Sequence, residues 1–215
     1  KDVSMKLSLG ECISLSSDSA PSLNALLDMI AGVYAPRIGE IAIDGKNVLQ
    51  YSSKDLIKHI GYVQSEGMIF RGTIRDNLTC FGQIEGDKVQ EMAALFQVDR
   101  DIASLPSGFD TFLNGNATDT IPPGLKQRIA MVRVLSPKPR LIIFDNADRS
   151  LDRDGYNLVY NLLARLKGKA TIILSSDDHN LTAQASRFFS LQDGRLVETP
   201  RTDSRKDIFY RELKL

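Results

Sequence analysis

Small and polar residues fill the turn between the first predicted strand and the first predicted helix. The strand carries Ile13 and Leu15, and the turn runs over 16–21. Consecutive backbone N–H groups at such a turn, together with a helix N-terminus, can hold an anion. Here Pro21 has no N–H, and Asp18 places a negative charge beside the turn. These two residue types therefore weaken any anion site at this position.

The residue types that hold metal ions or act as nucleophiles are few and scattered. The 215-residue chain has two cysteines, Cys12 and Cys80, and two histidines, His59 and His179. Their spacing matches neither a CxxC pair nor a His/Cys metal cluster. We therefore predict reduced thiols in the core, a cytosolic setting and no metal centre built from these residues.

Composition and charge limit the classes of function. Hydrophobic residues make up 42% of the chain, which is enough for a substantial core. Lysine plus arginine equals aspartate plus glutamate at 27 each, so no general affinity for nucleic acid follows. No apolar run approaches the about 20 residues that span a bilayer, and no signal peptide is evident. We expect the sequence to be one domain of a longer protein.

Alternating strands and helices must position the turn. Apolar residues at i, i+3, i+4 and i+7 predict a helix that Ser19 can cap and Gly32 can end. The apolar positions of this helix are Leu23, Leu26, Leu27 and Ile30. Alternation over 3–9 predicts a half-buried strand before it. Further segments are predicted at 60–63 (strand), 86–98 (helix), 140–145 (strand), 152–166 (helix), 169–175 (strand) and 188–197 (hairpin).

The chain contains a series of motifs that resemble, in the same order, those of the nucleotide-binding domain of an ABC transporter in the exporter branch of that family. The matching segments are Gly10-Glu11, Leu26-Leu27, Ile30-Ala31-Gly32, Gly39-Glu40-Ile41, Ile43-Asp44-Gly45, 105–111 and 126–135. The resemblance covers nearly the whole chain. It implies an α/β, P-loop NTPase-like sandwich with a mainly parallel core sheet, an antiparallel β flank and a helical subdomain. We expect this domain at 1–200, its helical subdomain near 76–137, and a charged C-terminal tail at 201–215.

The phosphate loop that the resemblance implies, G-x-x-x-x-G-K-[ST], falls at 17–24. The residues that stand there are Ser17, Asp18, Ser19, Ala20, Pro21, Ser22, Leu23 and Asn24. Serines replace both glycines, Leu23 replaces the lysine, and Asn24 replaces the hydroxyl that binds Mg²⁺. One unit charge at contact distance is worth roughly 4 kcal/mol at an effective dielectric of about 20, so affinity falls on the order of a thousandfold or more. We expect Leu23 to extend the apolar helix face; a rearranged loop that still binds nucleotide is the alternative.

Of the family's catalytic and metal positions, one keeps its residue type. Asp145 stands where the Walker B acid orders Mg²⁺ water, although it also suits a strand-end residue that caps the next turn. Asn146 replaces the glutamate base, and its amide can orient a water without accepting a proton. Asp177 replaces the switch histidine. His179 comes two residues later, too late to substitute without a bulge.

Two further nucleotide contacts of the family are changed. Ser65 stands at the metal-facing glutamine position, although a slip of one residue would bring Gln64 there. Pro122, Pro123 and Gly124 replace residues of the signature that grips the γ-phosphate of a nucleotide in the opposite subunit. Either this segment is a rigid lead-in to the next helix, or Gly124 and the helix N-terminus still make a weak anion contact.

The segments that the family uses for its partners match more closely. Residues 70–78 match the segment that receives the coupling helices of the membrane domain, and 147–152 match the loop at the dimer interface. The resemblance therefore implies two partners, a transmembrane domain of an ABC exporter on the same or a separate chain and a second nucleotide-binding domain. It also implies a location at the cytoplasmic face of the inner (plasma) membrane.

We predict a degenerate domain that binds and hydrolyses ATP weakly or not at all and acts as a coupling or structural partner. The type I secretion or peptide-export branch suits it best, and ATP with Mg²⁺ enters only through the resemblance, with none bound tightly. One alternative is an active ATPase subunit with a remodelled site that uses Asp145 and Gln64 to energise export of a protein, toxin or peptide. Another is a soluble regulatory module on the same scaffold.

Overall fold

Strands and helices alternate along the computed structural model, which describes residues 3–116 and 118–200. The strands are β1 (Cys12–Ser17), β2 (Ala42–Ile43), β3 (Lys46–Asn47), β4 (Ile60–Val63), β5 (Gly72–Thr73), β6 (Phe112–Leu113), β7 (Leu141–Asp145), β8 (Thr171–Ser175), β9 (Arg187–Gln192) and β10 (Arg195–Thr199). The helices are α1 (Ala20–Ile30), α2 (Ser53–His59), α3 (Ile74–Thr79), α4 (Gly86–Leu95), α5 (Val98–Ala103), α6 (Pro123–Leu135), α7 (Arg153–Leu166) and α8 (His179–Thr182).

A six-stranded sheet lies at the centre, in the order β10-β9-β1-β8-β7-β4. Every neighbouring pair from β9 to β4 is parallel, and β10 runs antiparallel to β9. The two-stranded sheets β2-β3 and β5-β6 are also antiparallel. The predicted α/β fold with a mainly parallel core sheet and an antiparallel flank is therefore confirmed.

The sheet is buried on both faces because alternate side chains of each strand enter different hydrophobic clusters. In β1, Ile13 and Leu15 join the cluster that contains the apolar face of α1. Cys12 joins the other cluster, which includes buried residues of α6 and α7. Parallel sheets are usually covered on both faces in this way. The two faces of the sheet thus carry separate cores.

Helices α3, α4 and α5 all pack against α6. They lie within the stretch where we expect the helical subdomain, near 76–137, and the limits of that subdomain stay a prediction. The tail at 201–215 lies outside the described residues. Within 3–116 and 118–200, no helix combines the length and the apolar character that crossing a membrane requires.

The predicted strand at 3–9 is wrong. Residues 3–8 have no regular secondary structure, and Val3 and Leu9 are exposed. Met5 and Leu7 are partly buried and pack against the cluster that contains α1. The alternation therefore reflects two side chains that contact the core from an irregular segment.

Gly10 should be more sensitive to alanine substitution than Gly39, although both have a left-handed backbone, at φ +81° and +85°. A Cβ on Gly10 would lie 2.7 Å from the carbonyl carbon of Gly168, whereas one on Gly39 would meet nothing within 4 Å. We expect Gly39→Ala to cost about 1–2 kcal/mol of unfolding free energy. Gly10→Ala should cost about 1–3 kcal/mol more, because backbone must move. Urea unfolding measures both, and equal losses would contradict the close packing of Gly10.

Candidate functional site

The carboxyl ends of neighbouring parallel strands meet at one edge of the sheet. Strand β1 ends at Ser17, β7 at Asp145 and β8 at Ser175, and Gln64 directly follows β4. Val63 lies opposite Phe144, so Gln64 comes at the same edge as Asp145. Ligands of α/β sheets bind at this edge. The structure thus brings together the predicted positions at 17–24, 64–65, 145–146 and 177.

The turn between β1 and α1 is closed by its own hydrogen bonds. Only Asp18 and Ser19 lie between the two elements. The N–H of Ser19 donates to Ser17 Oγ (3.1 Å). The N–H groups of Ser22 and Leu23 donate to Ser19 Oγ (3.4 Å) and to its carbonyl oxygen (3.0 Å). Ser19 is therefore the predicted helix cap, and the three N–H groups are bonded within the chain.

Leu23 lies in the core. Its exposed fraction is 7%, and it belongs to the same cluster as Ile13, Leu26 and Leu27. Pro21 occupies the first turn of α1, as the sequence predicts. Burial of a leucine side chain contributes about 1.5–3 kcal/mol to folding. Position 23 therefore contributes to the stability of the fold, on the apolar face of α1.

Both carboxylate oxygens of Asp145 accept hydrogen bonds from neutral groups of the same chain. Tyr62 donates its hydroxyl to Oδ2 (3.3 Å), and Asn146 donates Nδ2 to Oδ1 (3.0 Å). Asn146 has a left-handed backbone (φ +49°), and its N–H donates to the carbonyl of Ser175 (2.7 Å). Asp145 thus lies in a network of uncharged donors that joins β4, β7 and β8.

The hydroxyl of Tyr62 has an acidic environment. Burial, followed by the negative charges of Asp145 and Asp28, raises the pKa of Tyr62 above its ordinary value of 10. Tyr62 therefore stays a neutral donor to Asp145 over the physiological range. None of the sequence motifs marks Tyr62 as a site residue, although a tyrosine in the otherwise apolar strand β4 indicates a polar contact at this position.

Residues 64 and 65 are held by their backbone carbonyls. Gln64 is exposed, and its carbonyl accepts a hydrogen bond from Nε2 of Gln127 (2.8 Å). The carbonyl of Ser65 accepts from Ser150 Oγ (3.0 Å). Gln127 also donates to the carbonyl of Ala147 (3.1 Å). The segment after β4 is thereby tied to α6 and to the loop at 147–152, a link that the sequence did not reveal.

Asp177 is exposed and forms an ion pair with Arg149 of the loop at 147–152. A hydrogen bond and the charge of Asp177 raise the pKa of Arg149. His179 is the first residue of α8, and Asp178 caps that helix by accepting from Leu181 N (2.9 Å). At position 177 the chain therefore has a surface carboxylate paired with an arginine.

Pro122, Pro123 and Gly124 lie at the start of α6. The N–H groups of Leu125 and Lys126 donate to the carbonyl of Pro122 (3.0 Å each), and Pro123 has no N–H. A Cβ on Gly124 would lie 3.6–3.7 Å from atoms of 150–152. The start of α6 thus packs beside the loop at 147–152 of its own chain.

Comparisons with known proteins agree on one family. The sequence model described as "ABC transporter" matches residues 1–149. A sophorolipid transporter of Starmerella bombicola is 29% identical over 92% of this chain and 16% of its own length. A putative ABC transporter ATP-binding protein, exp8, of Streptococcus pneumoniae is 27% identical over 92% of this chain and 34% of its own.

Among solved structures, a bacterial Atm1-family ABC exporter with ATP bound superposes with a TM-score of 0.83. It is 24% identical in sequence, and the match covers 98% of this chain and 37% of that one. This likeness shows that the two chains share a fold. This chain therefore spans at most 37% of the length of any of these three proteins.

Tyr62→Phe should reveal the buried, acidic environment of the Tyr62 hydroxyl through the pH dependence of stability. Because the pKa of Tyr62 is raised in the folded state, its contribution to stability is present below pH 10 and is lost as the pH rises further. The stability advantage of the native chain over Tyr62→Phe should therefore narrow above about pH 10. Urea unfolding at neutral and alkaline pH measures this difference in stability. Tyr34→Phe is the control, because Tyr34 is 59% exposed. A stability difference that stays constant with pH would contradict the raised pKa of Tyr62.

Proposed function

This chain belongs to the ABC transporter family, and from that premise we propose that it is the cassette of a membrane exporter whose degenerate nucleotide site binds and hydrolyses ATP weakly or not at all. Members of the family use ATP with Mg²⁺. The observation that carries the proposal is the closed turn between β1 and α1, with Leu23 in the core where the family has its lysine. The domain at 1–200 would then act through its contacts with partners.

The residues at 17–24 do not fit a triphosphate. A phosphate cradle needs free backbone N–H groups and a cation, and here the N–H groups of Ser19, Ser22 and Leu23 are bonded within the turn. Pro21 supplies no N–H, and Asp18 adds a negative charge. No cationic side chain stands in the segment. Its chemistry therefore opposes binding of a polyanion.

The metal and catalytic positions support the same proposal. A Mg²⁺ ion or its water would have to compete with Tyr62 and Asn146 for the two oxygens of Asp145. Asn146 and Asp177 stand at the positions of the family's base and switch histidine, and neither supplies the family's chemistry. Pro122 and Pro123 offer neither a hydroxyl nor an N–H to a nucleotide of the opposite subunit, so we interpret them as a rigid lead-in to α6.

We further propose two partners, a transmembrane domain and a second cassette, at the cytoplasmic face of the membrane. The support is that 70–78 and 147–152 keep the family pattern and that both segments are ordered by contacts within the chain. Asn77, fully buried, bonds the N–H and the carbonyl of Phe70 (2.8 and 2.9 Å). Among exporters, we propose the type I secretion or peptide-export branch for this chain.

Titration of the chain with Mg-ATP tests the loss of the site. Calorimetry should detect no binding of Mg-ATP at concentrations up to about 1 mM. A dissociation constant of about 1 mM corresponds to a binding free energy of about 4 kcal/mol. A dissociation constant in the low micromolar range would overturn the proposal. Loss of ATP turnover on Asp145→Ala, if turnover exists at all, would identify the remodelled ATPase instead.

Restoring the family lysine should damage the fold without restoring the site. Leu23→Lys places an ammonium at a 7% exposed position and should cost about 2–4 kcal/mol of unfolding free energy. Leu9→Lys, at a 65% exposed position, should change it by less than about 0.5 kcal/mol. Neither variant should bind Mg-ATP. If Leu23→Lys were as stable as Leu9→Lys and also bound Mg-ATP, the result would show that the phosphate cradle is intact.

A further inference from the structure

The carboxylate of Asp119 organises the loop between β6 and α6. Three successive backbone N–H groups donate to it, those of Asn114 (2.7 Å), Gly115 (2.9 Å) and Asn116 (3.2 Å). Consecutive N–H groups that face one anion form a nest. In this nest the anion is a side chain of the same loop. Asp119 therefore fixes the backbone conformation of 114–116.

Asp119 is ionised at neutral pH. Burial raises the pKa of its carboxyl, but the hydrogen bonds from the three N–H groups and the charge of Lys126 outweigh burial and hold the pKa below its ordinary value. Lys126 of α6 also donates Nζ to the carbonyl of Asn116 (3.2 Å). Hydrogen bonds to an ionised acceptor are stronger than those between neutral groups. The loop is thus held by one carboxylate at its centre and by one ammonium from α6.

The same loop contains a reactive pair of residues. Asn114 is exposed, and it is the only asparagine of the sequence that precedes a glycine. In such a pair the backbone nitrogen of the glycine attacks the side-chain carbonyl carbon of the asparagine, since no Cβ obstructs its approach. The nitrogen loses its proton, the new C–N bond closes a succinimide ring, and ammonia leaves. Water then opens the ring at either carbonyl, which gives aspartate or isoaspartate.

The hydrogen bond from Gly115 to Asp119 opposes this reaction. The Gly115 nitrogen must lose its proton to attack, and that proton is donated to the Asp119 carboxylate. A negative charge at this distance also disfavours an anionic nitrogen, as it disfavours any second anion nearby. The bonds from Asn114 and Asn116 to the same carboxylate restrict the backbone rotation that brings the two reacting atoms together. The nest therefore protects Asn114 while it stays closed.

The reaction would alter the contacts around Gly115. A Cβ on Gly115 would lie 2.7 Å from the carbonyl oxygen of Ile69 and 3.2 Å from the nitrogen of Arg71, so backbone meets backbone here. Isoaspartate inserts a methylene group into the chain directly before this contact. Either product also places a second carboxylate next to Asp119, and like charges repel. The modified loop should therefore separate both from Asp119 and from 69–71.

We propose that Asn114 is a modification site, deamidated to aspartate or isoaspartate by attack of the Gly115 nitrogen, and that Asp119 restrains this reaction by holding the Gly115 N–H. Water is the co-reactant and ammonia is the leaving group. Because the reaction is irreversible, the modified fraction records how long the loop has been open. Residues 17–24 take no part in it, so the inference is independent of the proposed function.

Mass spectrometry of the chain during incubation at mildly alkaline pH tests the proposal, because replacement of an amide by a carboxylate changes the mass of the peptide that contains Asn114. We expect Asp119→Ala to deamidate at least about tenfold faster than the native chain, the change that about 1.4 kcal/mol of lost local stability produces. Asp110→Ala is the matched control, because it removes a 72% exposed carboxylate that pairs with Arg75. Its rate should equal the native rate.

Further measurements locate the reaction and separate restraint from general stability. Asn114→Gln in the Asp119→Ala background should remove the mass change, and its persistence would overturn the site. Equal rates in the native chain and Asp119→Ala would overturn the restraint. Amide hydrogen exchange in β7 should stay native in Asp119→Ala, whereas a parallel rise there would reduce Asp119 to a general stabilising role. If Asp119→Ala does not fold, Asp119→Asn replaces it and should also react faster than the native chain.

Discussion

The short connection between β1 and α1 determines what the carboxyl edge of the sheet can bind. Since only Asp18 and Ser19 separate the two elements, Ser19 caps the N-terminus of α1, and the N–H groups of Ser22 and Leu23 are already bonded to it. The helix then presents Leu23 to the core. A side chain that binds phosphate must reach away from the core, so the same position cannot supply both burial and a cation.

Asp145 illustrates how a carboxylate can be stabilised at such an edge without a cation. Its partners are the hydroxyl of Tyr62 and the amide of Asn146, and hydrogen bonds to a charged group are each worth about 1.5–3 kcal/mol. The left-handed turn at Asn146 places its side chain back on Asp145 and its N–H on β8. Asp145 therefore has a structural role of its own, which joins three strands at their ends.

Local patterns predicted the elements well, and distant contacts lay beyond them. The apolar spacing and the cap gave α1, and the family resemblance gave the mainly parallel sheet. The segment at 3–9 misled the same reasoning, because alternation also arises where two side chains reach the core from an irregular chain. Tyr62 and Asp145 are 83 residues apart, and Arg133 and Met68 are 65 apart. Arginine side chains are usually exposed, so the burial of Arg133 under Phe70 required the structure.

The turn at 17–24 and the exposed side chains of Met68, Phe70 and Phe81 are supported by different hydrophobic cores. Helix α1 packs on one face of the sheet through the cluster that contains Leu23, whereas α6 packs on the opposite face through a second cluster. Changes at sites that share no partners act nearly independently. Substitutions at 17–24 therefore need not change the packing of Arg133 and Gln127. The exposed side chains of Met68, Phe70 and Phe81 need not move either. The side chains at 17–24 and those on α6 are thus separated by a single sheet, so the loss of the phosphate cradle that we propose would leave the packing of α6 intact.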